Sequence, residues 1–263
     1  MKISTVFFDL DGTLLPLNQD EFVKMYFTHL AAFLAPHGYD PEGFTKALWS
    51  GVTAMTKNDG RAINETVFWE DFARFYGELA QKDMPLFDTF YRDHFVALKS
   101  ICSCNPRMRE VIDRVKSAGC TVVVATNPVF PATATEQRIR WAGLNPEDFR
   151  LVTTYENSRF SKPNPRYYED LLTQLGAAPE ECLMIGNDRE TDIAGAKRAG
   201  MDTLYMHTNL TPPDQRCADP AKVCAKHAHI DVDMRAEQLR RHPLRLNEAA
   251  DTRKHLVVSR KHI

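Results

Sequence analysis

A doubly wound α/β fold, with a Rossmann-like parallel sheet and an inserted all-helical cap, is predicted by three features of this sequence. Short apolar runs (Ile3 to Phe8, Thr121 to Thr126, Leu151 to Thr154, Cys182 to Gly186 and Thr203 to Met206) have the unalternating character of strands buried on both faces. From Pro106 onward, helical patterns separate these runs, which implies right-handed crossovers and parallel pairing. Between the first and second runs, residues 16–101 carry helical periodicity and no convincing strand.

The first run ends in Asp9-Leu10-Asp11-Gly12-Thr13-Leu14-Leu15. Ligands of open parallel sheets bind outside the carboxyl ends of strands, and Gly12 lets the backbone turn sharply beside such a ligand. Two carboxylates two residues apart there suit a nucleophile, a proton donor and a hard-cation site.

The insertion reads as four aromatic-rich amphipathic stretches. Phe22, Tyr26, Leu30 and Leu34 form the first stripe, and Phe44, Leu48, Val52 and Met55 the second. A third starts at Asn64 and runs through Phe72 to Leu79; the fourth follows Pro85 through Phe87, Phe90, Tyr91, Phe95 and Leu98. Such stripes serve packing first. Between the second and third lies Thr56-Lys57-Asn58-Asp59-Gly60-Arg61. It is either a substrate-reading loop facing the first strand's carboxylates or a solvated interhelical loop.

After the insertion, Met108 to Ala118 is a helix closed by Gly119, and the strand Thr121 to Thr126 follows, ending in Thr126-Asn127-Pro128. A helix over about Pro131 to Ala142, a short strand, Ser161-Lys162-Pro163 and a helix from Pro165 to Leu175 come next. The strand Cys182 to Gly186 ends in Asn187-Asp188-Arg189-Glu190-Thr191-Asp192 and enters a small-residue helix that stops at Gly200. The expected organisation is therefore a core of residues 1–15 and 102–242, a cap of residues 16–101 and a tail of residues 243–263. From Lys222 to Ile263 there are ten Lys/Arg against five Asp/Glu, expected to form a solvated terminus, with a terminal helix over Val232 to Arg241.

A net charge of −2 argues against a nucleic-acid or membrane-surface partner, and no apolar window is long enough to span a bilayer. No signal-peptide pattern is seen at the N-terminus, so a cytoplasmic location is expected, with the six cysteines as free thiols. His227-Ala228-His229 offers too few ligands for a metal site.

Asp9/Asp11, Thr126/Asn127, Lys162 and Asp188/Asp192 thus bring polar groups to one crevice. In this order the motifs resemble the haloacid dehalogenase-like hydrolase superfamily. They are Asp9-Leu10-Asp11-Gly12-Thr13-Leu14, then Thr126 closing a strand, Lys162 before Pro163, and Gly186-Asn187-Asp188-x-x-x-Asp192. The inserted helices look like the cap of its phosphoglycolate phosphatase and phosphoglucomutase-like branch. The resemblance implies that Asp9 attacks phosphorus, forming an aspartyl phosphate, while Asp11 protonates the leaving alcohol and then activates water. It implies Mg²⁺ held by Asp9, the Asp11 carbonyl and Asp188, with Asp192 as a further ligand or a support. Thr126 and Asn127 would hold phosphoryl oxygens and Lys162 would balance their charge. Retention of Asp11 points to transfer involving an alcohol rather than a halide.

The expected activity is a Mg²⁺-dependent phosphatase acting on a small phosphorylated metabolite. A sugar phosphomutase is the alternative and a non-catalytic phosphate-ligand binding protein a distant one. Lys57, Asn58 and Arg61 are the expected cap contacts to the non-phosphate part of the substrate. Monomer and homodimer both remain open.

Overall fold

The structure, a computed structural model, describes residues 3–206 of the chain. The expected terminal helix, the 243–263 tail, His227, His229, Cys217 and Cys224 lie outside these residues.

Strands β1 (Thr5–Phe8), β2 (Thr121–Val124), β3 (Leu151–Val152), β4 (Cys182–Gly186) and β5 (Asp202–Tyr205) form one sheet, ordered β3-β2-β1-β4-β5. Every pairing is parallel, with Phe8 opposite both Val124 and Ile185. β1 is flanked by strands on both sides and covered on both faces, which is why its sequence is apolar without alternation. Val6, Phe8, Val122, Val124, Leu183 and Ile185 enter one apolar cluster, and Phe7, Val123, Cys182 and Met184 enter the cluster on the opposite face. From β1 the chain moves outward through β2 and β3, then returns to β4 on β1's other side. The resulting reversal opens a crevice at the carboxyl ends of β1 and β4.

The core helices are α6 (Pro106–Ser117), α7 (Ala132–Trp141), α8 (Pro165–Leu175) and α9 (Gly195–Arg198). The insertion contains α1 (Gln19–Leu34), α2 (Pro41–Thr56), α3 (Asn64–Tyr76), α4 (Glu78–Lys82) and α5 (Met84–Thr89). Asn18 and Asp40 start α1 and α2 by accepting from the backbone N–H of Glu21 at 3.1 Å and Gly43 at 2.7 Å. Both connections to the core run side by side: Leu17 pairs with Cys102, and Ser103 N donates to the Pro16 carbonyl at 2.9 Å.

The fourth aromatic stripe is not one α-helix. After α5 the chain widens into a π-turn over Phe90–His94, then tightens into a 3₁₀ segment, Phe95–Ile101. A side chain of the core explains the change. Gln137 Nε2 donates to the Tyr91 carbonyl at 2.5 Å, while the Phe95 N–H reaches back five residues to Phe90.

The insertion lies against loops that leave the carboxyl ends of β2 and β3. Tyr26 packs edge-on to Phe130 with ring centres 5.1 Å apart, and Glu65 N donates to the Tyr155 carbonyl at 2.9 Å. Asn64, fully buried, donates to the Pro128 carbonyl and to Ser161 Oγ, each at 3.0 Å.

Candidate active site

Asp9 follows directly on β1, and its N–H donates to the Ile185 carbonyl at 2.9 Å, extending the ladder to the rim of the crevice. The carboxylate is buried. Lys162, also buried, lies between two acids, its Nζ 3.0 Å from Asp9 Oδ1 and 2.6 Å from Asp192 Oδ1. Burial works against the Lys162 ammonium, but the charges of Asp192 and Asp9 outweigh it and hold its pKa well above the ordinary value. Burial, then the Asp9 charge, pushes the Asp192 carboxyl above its ordinary value against the pull of Lys162. Asp192 Oδ2 accepts from Asp188 N at 3.0 Å, so both its oxygens are engaged. A Cβ at position 186 would run into that carboxylate, which is why β4 ends in glycine.

On the other side of Asp9, Gly12 adopts φ 85°, and its missing side chain leaves room for the Asn187 amide. With its NH₂ turned inward, Asn187 donates to Asp9 Oδ2 and the Asp11 carbonyl, both at 3.2 Å, and to Thr13 Oγ1 at 3.0 Å. The Asp9 carboxylate, Asp11 carbonyl and Thr13 hydroxyl thus gather around the Asn187 amide, and these three oxygens are donors of the kind a hard cation such as Mg²⁺ takes. Asp188 Oδ1 accepts from the N–H groups of Glu190 at 2.9 Å and Thr191 at 2.7 Å, capping the turn after β4. Its Oδ2 takes no hydrogen bond among the described residues.

Asp11 turns away from Lys162. Its Oδ2 pairs with Arg138 of α7. Burial pushes the Asp11 carboxyl up from its ordinary value, opposed by the Arg138 charge and reinforced by that of Asp9.

Thr126 is buried, and its carbonyl accepts from Thr153 Oγ1 at 2.7 Å and Tyr167 OH at 2.8 Å. Among the described residues no hydrogen bond engages its hydroxyl. Asn127 Oδ1 accepts from Lys162 N at 3.2 Å, tying the edge of β2 to the lysine loop. Two buried carboxylates bridged by a lysine at the carboxyl ends of β1 and β4 can carry out nucleophilic attack at an electrophile whose charge the site also balances.

A family model described as haloacid dehalogenase-like hydrolase matches residues 3–200. The chain belongs to that family. It is therefore an enzyme of a hydrolase family, built on the α/β core described above. It is 28% identical over 211 residues to a protein named pyrophosphatase PpaX from Bacillus cereus, covering 80% of this chain and 86% of that one. Among solved structures, a HAD phosphatase from Thermococcus onnurineus is 18% identical with a TM-score of 0.49, covering 79% of this chain and 87% of that one. L-2-haloacid dehalogenase from Xanthobacter autotrophicus is 17% identical with a TM-score of 0.48, covering 89% and 87%.

The structure gathers Asp9, Lys162 and Asp192, with Asn127 at the lysine's backbone. Of the expected metal set, Asp9 Oδ2 and the Asp11 carbonyl share the Asn187 amide, while the Asp11 carboxylate pairs with Arg138 and Asp188 Oδ1 caps its own turn. Among the described residues no three Asp, Glu, His or Cys side chains form a metal-binding group. The cap residues divide as well. Asn58 is buried within the insertion, its Nδ2 donating to the Ala62 carbonyl at 2.8 Å and Asn64 Oδ1 at 2.9 Å. Lys57 is exposed. Arg61 is half exposed and pairs at 2.5 Å with Glu70 of α3. With Asn58, they line a groove of about 220 Å³ whose walls all come from the insertion, among them Glu70, Asp71 and Arg74. Neither cation reaches Asp9. Gly60 is the loop's point of contact with the core; at φ 94° it lies so close to Phe160 that a Cβ would enter the ring.

Sequence reasoning missed Arg138 and Asn64 and gave Asn187 no role. For Arg138 a signal was present: it shares the buried face of α7 with Ala134, Thr135 and Ile139, and a charge on such a face demands a partner. Asn64 carries none, because an asparagine beginning a helical stretch reads as an N-cap.

Proposed function

We propose that the chain is a Mg²⁺-dependent phosphatase that hydrolyses a small phosphate monoester through an aspartyl phosphate on Asp9. The observation that carries this reading is the buried Asp9 carboxylate, held on Oδ1 by Lys162 and on Oδ2 by the Asn187 amide, at the carboxyl end of β1. Asp9 attacks phosphorus and the alcohol leaves, taking a proton from Asp11; Asp11 then removes a proton from water as that water attacks the phosphoryl group and frees Asp9. Lys162 and the Thr126 hydroxyl hold the phosphoryl oxygens, and Asn127 fixes the lysine loop. Asp9, the Asp11 carbonyl and Asp188 Oδ2 would hold Mg²⁺, with Asn187 beside them. Asp192 acts by fixing Lys162 and the Asp188 loop. A bound divalent cation supplies charge neutralisation between the carboxylates and the phosphate.

Helices α1 to α5 act as a cap over the crevice, hinged at the paired linkers around Leu17 and Cys102, and exclude water during attack on phosphorus. Cys102, Cys104, Cys120 and Cys182 are free thiols, which suits a cytoplasmic enzyme. Because the Bacillus cereus relative is named a pyrophosphatase, inorganic pyrophosphate belongs among the first substrates examined.

The test is phosphate release from a panel of phosphate esters and pyrophosphate with Mg²⁺, compared with Asp9→Asn and with chelator. Release that vanishes in both controls supports the reading. Substantial turnover by Asp9→Asn overturns the nucleophile, and conversion of one sugar phosphate to another without phosphate release makes the enzyme a mutase.

A further inference from the structure

Arg138 is completely buried in the middle of α7. An arginine removed from water is retained only where its charge and its donors are matched. Its Nη1 pairs with Asp11 Oδ2, its Nη2 donates to Thr135 Oγ1 at 3.2 Å, and its Nε reaches the Ala134 carbonyl at 3.4 Å. The guanidinium lies over the Phe130 ring, 4.4 Å from its centre, and 6.0 Å from that of Phe22 on α1. A helix, two hydrogen bonds within that helix and two rings therefore fix the fork in place.

This fork is used unusually. Arginine and a carboxylate facing each other with nothing else to do form two parallel bonds. Here the second arm goes to Thr135, and Asp11 Oδ1 is left buried with no hydrogen-bond partner. A buried carboxylate oxygen that its own chain leaves unmatched needs an explanation. From this division of the fork we infer that Arg138 is a positioning residue for the proton-transfer step. It holds Asp11 by Oδ2 and leaves Oδ1 without a partner in the protein, to be taken by the ester oxygen and the hydrolytic water. Phe22 belongs to the insertion, so docking of α1 also closes the apolar side of this pair.

The inference rests on the proposed phosphatase reading, and its test separates the two. kcat/KM is measured for phosphate esters ranging from p-nitrophenyl phosphate, whose leaving group needs no proton, to alkyl phosphates, whose leaving group does. Misaligning a general acid should cost alkyl esters about 10²-fold in Arg138→Met, while p-nitrophenyl phosphate loses less than about tenfold. In an Asp11→Asn background the same substitution should then change alkyl-ester turnover by less than about threefold, because the group it positions is gone. A uniform loss across the series, or equal losses in both backgrounds, overturns the proposal and makes Arg138 a packing residue. Should Arg138→Met not fold, Arg138→Lys keeps the charge without the fork; a steeper leaving-group dependence is required there too, and an unchanged one refutes it. If the wild-type chain hydrolyses no ester, the phosphatase reading falls, and a crystal structure of the Arg138 variant decides the positioning. Displaced Asp11 upholds it, and Asp11 in its original rotamer overturns it.

Discussion

Replacing Asn64 with alanine tests whether one buried amide secures the insertion to the core. The substitution removes three side-chain hydrogen bonds, to Asn58 at 2.9 Å and to the Pro128 carbonyl and Ser161 Oγ at 3.0 Å each. At about 1 kcal/mol net apiece, that is roughly 3 kcal/mol. Two of the abandoned partners have somewhere else to go. Asn58 Nδ2 keeps the Ala62 carbonyl at 2.8 Å, and Ser161 Oγ still donates to the Met55 carbonyl at 3.2 Å. The Pro128 carbonyl has no second partner among the described residues, and an orphaned acceptor adds about 1–3 kcal/mol. The expected loss is therefore about 4–6 kcal/mol, a large share of the roughly 5–15 kcal/mol that stabilises a typical domain. Urea unfolding followed by tryptophan fluorescence reads it, since Trp69 lies on α3 one turn beyond Asn64. A loss below about 1 kcal/mol, the range of a surface substitution, would refute the accounting and the role given to Asn64.

Lys162→Ala should lower kcat by about 10²–10³ with a smaller change in KM, because its charge matters most where negative charge peaks. A pure KM effect would restrict it to ground-state binding. It should also destabilise the fold by about 3–5 kcal/mol, since Asp9 and Asp192 stay buried without their cation, and adding Asp192→Asn should recover part of that loss in thermal unfolding. Asp148 is held at about 2 by a hydrogen bond from Arg109, against burial and with help from Lys116. Its folded pKa lies below its unfolded value, so its contribution is complete above about pH 4 and lost as pH falls toward 2. Asp148→Asn should flatten acid unfolding over that window, and an unchanged profile counts against the assignment. Lys57→Ala and Arg61→Ala should leave p-nitrophenyl phosphate turnover unaltered; a changed ranking of larger esters would make the cap groove part of the substrate site.

Much of the fold was legible because parallel strands buried on both faces leave a strong mark on composition. Thr121-Val122-Val123-Val124 and Cys182-Leu183-Met184-Ile185-Gly186 read as strands without any structure. The strand ends were legible for a related reason: a polar residue closing an apolar run has little to do in a core. Asp9 and Lys162 come together as those ends and loops imply. Less was legible where one segment's geometry depends on a side chain from another. The π-turn at Phe90–His94 follows from Gln137, 46 residues away from the carbonyl it binds.

By itself the sequence determined the alternation of strands and helices, the helical character of residues 16–101 and the identity of the groups at each strand's end, since these depend on local periodicity and on residue type. Only the tertiary structure decided how those groups are shared among partners. Lys162 stands between Asp9 and Asp192, Arg138 takes one oxygen of Asp11, and Asp188 caps its own turn. It also decided that Asn58 turns inward to Asn64 while Arg61 turns to Glu70. The physical reason is that a charged side chain reaches several ångströms in any direction its backbone allows. Its partner is chosen by burial and by which opposite charges the folded sheet and helices bring within that reach, and neither is a property of neighbouring residues in the chain.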